Sequence, residues 1–273
     1  MSNDQIRERL VFIGAGNMAE ALVRGVLRAG VACPERVAVT DVDAGRLAHF
    51  QATYGVGTAS DNLTAVRDAD VVVLAVKPQV LPEVFAEIHD VMEPRHLVIS
   101  IAAGVSLRRL TEGLGTRPRL VRAMPNMPAL VGSGATAFCK GAGVTPADGE
   151  LARRIFAAVG LALEMEERHL NAVTALSGSG PAYAFYLAEV MAQAGVKLGL
   201  PPQAALDLTV ATMEGAGRML RETGVSPAEL RARVTSRGGT TAAALHVLNE
   251  RDFAAVVDAA LDAACRRAAE LEK

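Results

Sequence analysis

The chain has 273 residues, room for two domains of ordinary size or one large one. Hydrophobic residues make up 51%, and counting the 25 glycines while setting aside three tyrosines lifts the apolar share to about 59%, which excludes intrinsic disorder. The 28 basic and 30 acidic side chains leave a net charge of −2, so there is no basic excess to neutralise phosphates and nucleic acid is not an expected partner.

The absence of tryptophan and an aromatic share of 4% also argue against a base-stacking surface. Cys33, Cys139 and Cys265 are far apart and form no CxxC pair. They read as reduced thiols packed as small hydrophobes, not as a zinc site or a disulfide framework. Met1 to Arg9 is charged and polar, unlike a signal peptide, and the apolar run Val71 to Val76 is too short to span a bilayer. A soluble, cytoplasmic protein without a membrane partner is expected.

Taken in order, the first half alternates short apolar runs with helical patterns. Strands are expected at Leu10-Val-Phe-Ile13, Arg36 to Thr40, Val71 to Ala75, Leu97 to Ser100, Leu120 to Ala123, Ala135 to Cys139 and Leu161 to Met165. Helices are expected at Asn17 to Arg28, Asp43 to Tyr54 and Pro146 to Val159. Such alternation implies right-handed βαβ crossovers and a doubly wound, mainly parallel sheet covered on both faces. From about Glu166 the strand signal stops. Arg168 to Leu176 reads as a helix interrupted by Ser177-Gly-Ser-Gly180, with Pro181 opening a long apolar helix to about Leu198. Further helices follow at Pro202 to Arg221, after the capping box Ser226-Pro-Ala-Glu229, and from Asp252 to Leu271. The expected division is residues 1–165 as an α/β domain and 166–273 as an all-helical domain whose apolar excess goes into a subunit interface.

After the first strand stands Gly14-Ala-Gly-Asn17-Met18-Ala19, the G-x-G-x-x-A form of the dinucleotide fingerprint, in its required setting of strand before and helix after. Gly14 permits the tight turn, and Gly16 lets a pyrophosphate approach the backbone at a helix N-terminus with free N–H groups. Asp41, roughly 20 residues on at the end of the second strand, is placed to accept hydrogen bonds from ribose hydroxyls and to repel a 2′-phosphate, which favours NADH. The alternative for Asp41 is a solvated loop acid, and Arg46 nearby could swing to a phosphate. Ala75-Val76-Lys77-Pro78 ends the third expected strand where the nicotinamide half would lie, although Lys77 also reads as a solvated strand-end charge.

In the second half, Thr235-Ser-Arg-Gly-Gly-Thr-Thr241 has the makings of a helix N-terminus that holds a carboxylate through backbone N–H groups and the hydroxyls of Ser236, Thr240 and Thr241. The same hydroxyls could serve as N-caps. Neither a metal-ligand cluster nor a G-x-S-x-G elbow is present. His49, His89, His96 and His169 read as exposed, and His246 as structural. The lack of a strong base points to hydride transfer onto an already activated acceptor such as a protonated imine.

These residues together resemble Δ1-pyrroline-5-carboxylate reductases. The match runs from Phe12-Ile-Gly-Ala-Gly-Asn-Met-Ala-Glu20 through Ala75-Val-Lys-Pro-Gln79, Ser100-Ile-Ala-Ala-Gly104, Arg122-Ala-Met-Pro-Asn-Met-Pro128 and Ala175-Leu-Ser-Gly-Ser-Gly-Pro-Ala-Tyr183 to the segment Ser236 to Thr241. The resemblance implies an N-terminal Rossmann domain, a C-terminal helical dimerisation domain, NAD(P)H as coenzyme, a homodimer and, in many members, a decamer. It further implies that Ser236, Gly239, Thr240 and Thr241 hold the substrate carboxylate. Thr241 would act catalytically at the ring nitrogen, Asn62 would contact the coenzyme, and Ala75 to Pro78 would line the nicotinamide side. Arg237 departs from the proline common in the family. Two other readings are a β-hydroxyacid dehydrogenase or other imine reductase, for which Lys197 is poorly placed as the acid–base lysine, and a nucleotide-binding protein without turnover.

Overall fold

The computed structural model describes residues 5–272; Met1 to Asp4, part of the charged N-terminal stretch, and Lys273 lie outside the described residues. Among the described residues eight strands form one sheet: β1 Leu10–Ile13, β2 Val37–Thr40, β3 Gly57–Ala59, β4 Val71–Leu74, β5 Leu97–Ser100, β6 Arg119–Met124, β7 Gly134–Lys140 and β8 Gly160–Glu164. Their order is β3-β2-β1-β4-β5-β6-β7-β8. The chain therefore winds outward to β3 and then crosses back to β4, which makes β1/β4 the point where the winding reverses. Ile13 lies opposite both Thr40 and Leu74, so β1, β2 and β4 end level and open a crevice at their carboxyl ends.

Helices α1 Asn17–Arg28, α2 Ala44–Tyr54, α3 Asn62–Arg67, α4 Leu81–Ile88, α5 Leu107–Leu114 and α6 Pro146–Ala157 cover the sheet. The unbroken apolar strands are explained by a core on each face. Leu10 and Phe12 pack with Leu22, Val26 and Phe156 on one side, while Val11 and Ile13 pack with Val84, Ile88 and Leu110 on the other. Each such side chain contributes about 1.5–3 kcal/mol by leaving water.

The sheet departs from the sequence reading in two respects. β6 and β7 pair antiparallel, because the link between them, residues 125–133, is too short for a crossover, which takes a dozen residues or more. β3 and helices α3 to α5 were not anticipated. Gly57-Thr-Ala59 is a three-residue edge strand with no apolar run, and the three helices span only six to eight residues each.

Beyond β8 come α7 Leu170–Val173, a π-helical turn Thr174–Gly178, α8 Gly180–Lys197, α9 Pro202–Thr223, α10 Pro227–Arg233, α11 Thr240–Glu250 and α12 Phe253–Leu271. The expected break at Ser177 to Gly180 is this π-turn, in which backbone bonds are re-spaced and not lost. The Ser226 hydroxyl accepts the Glu229 N–H, as a capping box requires, but the Glu229 carboxylate does not return the bond; it pairs with Arg233 at 2.7 Å. A reciprocal box stands instead at Thr145 and Asp148, at the head of α6.

The chain divides into two compact units, Met1–Ser179 with Ala264–Lys273, and Gly180–Ala263. The last two turns of α12 thus complete the first unit. Ala268 is buried, and Leu271 lies so close to Gly104 that a Cβ there would come within 2.9 Å of it. The Arg122 side chain, 4% exposed, pairs with Glu167 at 3.0 Å and Glu272 at 2.5 Å, and Glu167 also accepts the Leu107 N–H. Beside them the Cys139 thiol is pushed up to about 11 by burial and by Glu167, which leaves it an inert packed sulfur. In the second unit α8 packs along α9, yet α8 and α11 bury no residue, and Phe185, Tyr186, Leu208, Val247 and Val256 are exposed.

Candidate active site

The crevice is built around the turn after β1. Gly14 has φ +103°, and a Cβ there would stand 2.9 Å from the Ala75 carbonyl carbon and oxygen, so only glycine fits between β1 and the end of β4. Its N–H donates to the Thr40 carbonyl at 2.8 Å, and the Ala75 N–H donates to Ile13 at 2.8 Å, which ties the three strand ends together. Gly16, at φ −75°, is the N-cap of α1; no side chain caps the helix, and a Cβ on Gly16 would meet nothing within 4 Å. The first turn of α1 therefore presents its N–H groups and its positive dipole end with open space before them.

Asp41, directly after β2, points its carboxylate at this turn. One oxygen accepts the Ala15 N–H at 2.6 Å and the other accepts the Asp43 N–H at 2.9 Å, so the group is oriented and is not a freely solvated loop acid. Arg46 is not free to swing. Its Nε donates to the Ala15 carbonyl at 2.8 Å and an Nη to Glu20 at 2.7 Å. Across the crevice the buried Thr40 hydroxyl donates to Asn62 Oδ1 at 2.5 Å, while Asn62 Nδ2 donates to Glu87 at 2.6 Å.

The resulting cleft has a volume of about 310 Å³ and is lined by Gly14, Gly16, Asp41, Asn62, Ala75, Val76 and Lys77, together with apolar Val80 and Val84 and the acids Glu83 and Glu87 from the α4 region. Asn17 and Met18 begin α1, and Pro78 opens the short turn before α4. The uncapped helix end, the glycine-only turn, the oriented carboxylate and the apolar wall fit a dinucleotide. Glu83 and Glu87 were missed in the sequence because they lie inside an eight-residue helix that its pattern did not single out.

The segment Ser236 to Thr241 belongs to the second unit. Gly238 has φ +72°, the Gly239 N–H returns to the Ser236 carbonyl at 3.0 Å, and α11 starts at Thr240. Gly239 holds the N-cap position, so neither Thr240 nor Thr241 is the cap; both stand in the first turn, with Thr241 half-buried. Arg237 is exposed in the turn, and Lys197 is the last residue of α8.

His96 corrects the sequence reading: it is fully buried, its Nδ1 accepting the Glu93 N–H at 2.9 Å, because the turn before β5 closes on itself and its His96 carbonyl accepts the Arg119 N–H at the head of β6. His49 and His169 are exposed, His89 is half-buried against the Gly113 carbonyl, and His246 pairs with Glu250 on α11 at 3.3 Å. No group of three or more His, Cys, Asp or Glu side chains suited to a metal occurs among the described residues.

Comparison with known proteins bears directly on these two units. Residues 167–271 match the family model for pyrroline-5-carboxylate reductase dimerisation, and residues 9–104 match one described as NADP oxidoreductase, coenzyme F420-dependent. Pyrroline-5-carboxylate reductase from Pseudomonas aeruginosa is 44% identical over 264 residues, 96% of each chain. The chain belongs to the pyrroline-5-carboxylate reductase family. Among solved structures of that family, the enzyme from Coxiella burnetii superposes with a TM-score of 0.94 at 41% identity, covering 98% of this chain and 100% of that one. The Plasmodium falciparum enzyme, solved with NADP bound, gives 0.88 at 29% identity, again over 98% and 100%. The fold class is accordingly that of the family, a Rossmann-type sheet followed by a helical dimerisation region. No described helix is long and apolar enough to cross a membrane.

Proposed function

We infer that this chain reduces the C=N bond of 1-pyrroline-5-carboxylate to give L-proline, using a nicotinamide coenzyme. The observation that carries the reading is the 44% identity over nearly the full length of a reductase of that name, in a chain whose crevice is built for a dinucleotide. When bound, the reduced nicotinamide supplies the hydride. The protein has to hold the two reactants in order and keep the imine nitrogen protonated, which is why no strong base is needed.

The first turn of α1, with Gly14, Gly16, Asn17 and Met18, would hold the pyrophosphate, and Ala75 to Pro78 would flank the nicotinamide half. Asp41 has two of its acceptor sites taken by backbone N–H groups and has others left for ribose hydroxyls. A 2′-phosphate at that carboxylate would be repelled, so NADH is the favoured coenzyme. Ser236, Gly239, Thr240 and Thr241 would hold the substrate carboxylate by backbone N–H groups and hydroxyls, with the Thr241 hydroxyl on the ring nitrogen. The exposed apolar side chains of α8, α9, α11 and α12 suit a homodimer in which they are covered, with assembly into a decamer as a further step and the cytoplasm as the site of action.

The test follows the loss of reduced-nicotinamide absorbance with 1-pyrroline-5-carboxylate, run with NADH and NADPH in parallel. Turnover with a higher kcat/KM for NADH is expected. No oxidation in a folded sample that binds coenzyme would refute the reaction, and a strong NADPH preference would refute the role given to Asp41. Light scattering after gel filtration gives the assembly.

A further inference from the structure

Arg46 lies in the first turn of α2, five residues beyond Asp41, with its side chain 32% exposed. Its guanidinium and the Asp41 carboxylate grip the same residue of the glycine turn from either side: Asp41 takes the Ala15 N–H, and Arg46 Nε donates to the Ala15 carbonyl. A cation is therefore stationed one residue's length from the carboxylate that would meet the ribose. Guanidinium recognition of phosphate relies on two parallel N–H bonds from one edge of the fork. The edge of the Arg46 fork that carries Nε is taken, since Nε is spent on Ala15 and Nη2 donates to Glu20 at 2.7 Å, and these two bonds pin the direction in which the rest of the group points. The guanidinium carbon also sits 5.4 Å from the centre of the Phe50 ring, which holds the group flat.

Glu20, in the first turn of α1, is itself fixed from the opposite side. Its other oxygen accepts the Tyr54 hydroxyl at 2.9 Å and is 2.8 Å from His49 Nε2. Burial pushes its carboxyl up, but the bonds from Arg46, His49 and Tyr54 outweigh this and hold it at about 2. Glu20 is thus charged throughout the working range of pH, and it has no place in the coenzyme cleft or the carboxylate-binding turn.

We propose that Glu20 is a specificity-determining positioning residue, which latches Arg46 onto the glycine turn and so denies a 2′-phosphate the cation it would need. The proposal rests on the reading of the crevice as a dinucleotide site and extends it. Discrimination between NADH and NADPH then has two parts: repulsion by Asp41, and sequestration of Arg46 by an acid on a different helix.

The experiment is calorimetric titration of the full-length protein with adenosine 5′-monophosphate and adenosine 2′,5′-bisphosphate, ligands that differ only in the 2′-phosphate. Glu20→Ala should strengthen bisphosphate binding relative to the monophosphate by about tenfold, the worth of a released charge-assisted pair. Glu20→Gln, isosteric and less disturbing to folding, should move the same ratio in the same direction by less. Adding Arg46→Ala to Glu20→Ala should return the ratio to that of the parent, and Arg46→Ala alone should leave it there. The ratio of kcat/KM for NADPH and NADH should follow. A selective loss of bisphosphate binding in Arg46→Ala alone would overturn the proposal, because Arg46 would already be serving the phosphate. An unchanged ratio in both Glu20 variants would overturn it as well, reducing the network to a brace between α1 and α2. If the parent bound neither ligand, the dinucleotide reading would fall first and the proposal with it.

Discussion

Two glycines of the turn after β1, separated by a single alanine, should fail in opposite ways when each is changed to alanine. At Gly14 the added methyl group would stand 2.9 Å from backbone atoms of Ala75, which cannot rotate aside, and the residue would be held at φ +103°. The backbone strain costs about 1–3 kcal/mol. Overpacking against immobile atoms adds about 1–3 kcal/mol. Gly14→Ala should therefore lose about 2–6 kcal/mol, a large part of the roughly 5–15 kcal/mol available to a domain. Gly16 is the reverse case. Its φ of −75° suits alanine and no atom lies within 4 Å of the new Cβ, so the stiffer unfolded chain offsets the poorer N-cap that alanine makes, and Gly16→Ala should stay within about 1 kcal/mol of the parent. That methyl group would, however, occupy the space in front of α1. If a pyrophosphate approaches there, the same overlap penalty should weaken NADH binding by about tenfold to a hundredfold. Urea unfolding and fluorescence titration with NADH, run on both variants, separate the two effects. A Gly16→Ala protein that binds NADH as tightly as the parent would refute the placement of the pyrophosphate, and a Gly14→Ala protein of undiminished stability would refute the steric argument.

Thr241→Ala should lower kcat by about tenfold or more while leaving NADH affinity nearly unchanged, measured by steady-state kinetics beside direct titration; an unaltered kcat would remove Thr241 from the reaction. Arg122→Ala strands Glu167 and Glu272, whose partial exposure lets them rehydrate, so a loss of about 2–3 kcal/mol is expected in urea unfolding, the lower end for a broken buried pair. Arg122→Met, which fills the space, should lose less, and equal losses would show that the stranded charges and not packing decide. Burial, and then Arg95 nearby, lower the His96 pKa below its ordinary value of 6.5, so the fold favours the neutral ring. Its contribution to stability is complete above pH 6.5 and is lost as pH falls from there toward the lowered value, because the unfolded chain takes up the proton first. Unfolding free energies at pH 7.5 and 5.5 should show this slope in the parent and a shallower one in His96→Gln.

Much of the first unit was legible because burial on both sheet faces leaves continuous apolar strands, and the fingerprint Gly14 to Ala19 stands between an apolar strand and an amphipathic helix, the setting that gives it meaning. Helix α1 was bounded correctly, since its apolar positions repeat at helical spacing up to Arg28 and the chain then reaches Gly30. β3 left no such trace: Gly57, Thr58 and Ala59 lie at the sheet edge, none of them buried, so their pairing with β2 supplies the order that their side chains do not announce. The antiparallel β6–β7 pair was concealed for another reason. A strand reads alike in either direction, and only the link length decides.

Around the crevice, spacing was enough to bring Gly14, Gly16 and Asp41 to one cleft. It could not reveal that Asp41 and Arg46 both grip Ala15, or that Glu87 orients Asn62, because those bonds join residues 25 to 31 positions apart. His96 was misread because a lone histidine just after Asp90, Glu93 and Arg95 looks like surface; its burial is a tertiary fact.

The return of the chain to the first unit has a consequence for synthesis. A protein emerging N-terminus first presents the whole sheet and the entire cleft before residues 264–272 exist outside the ribosome. During that interval Gly104 has no Leu271 against it, and Arg122 has Glu167 but not Glu272. A nascent chain halted near residue 263 would hold every wall of the crevice around an unclosed seam. Closure of the first unit thus waits on a segment that is made only after the whole of the second.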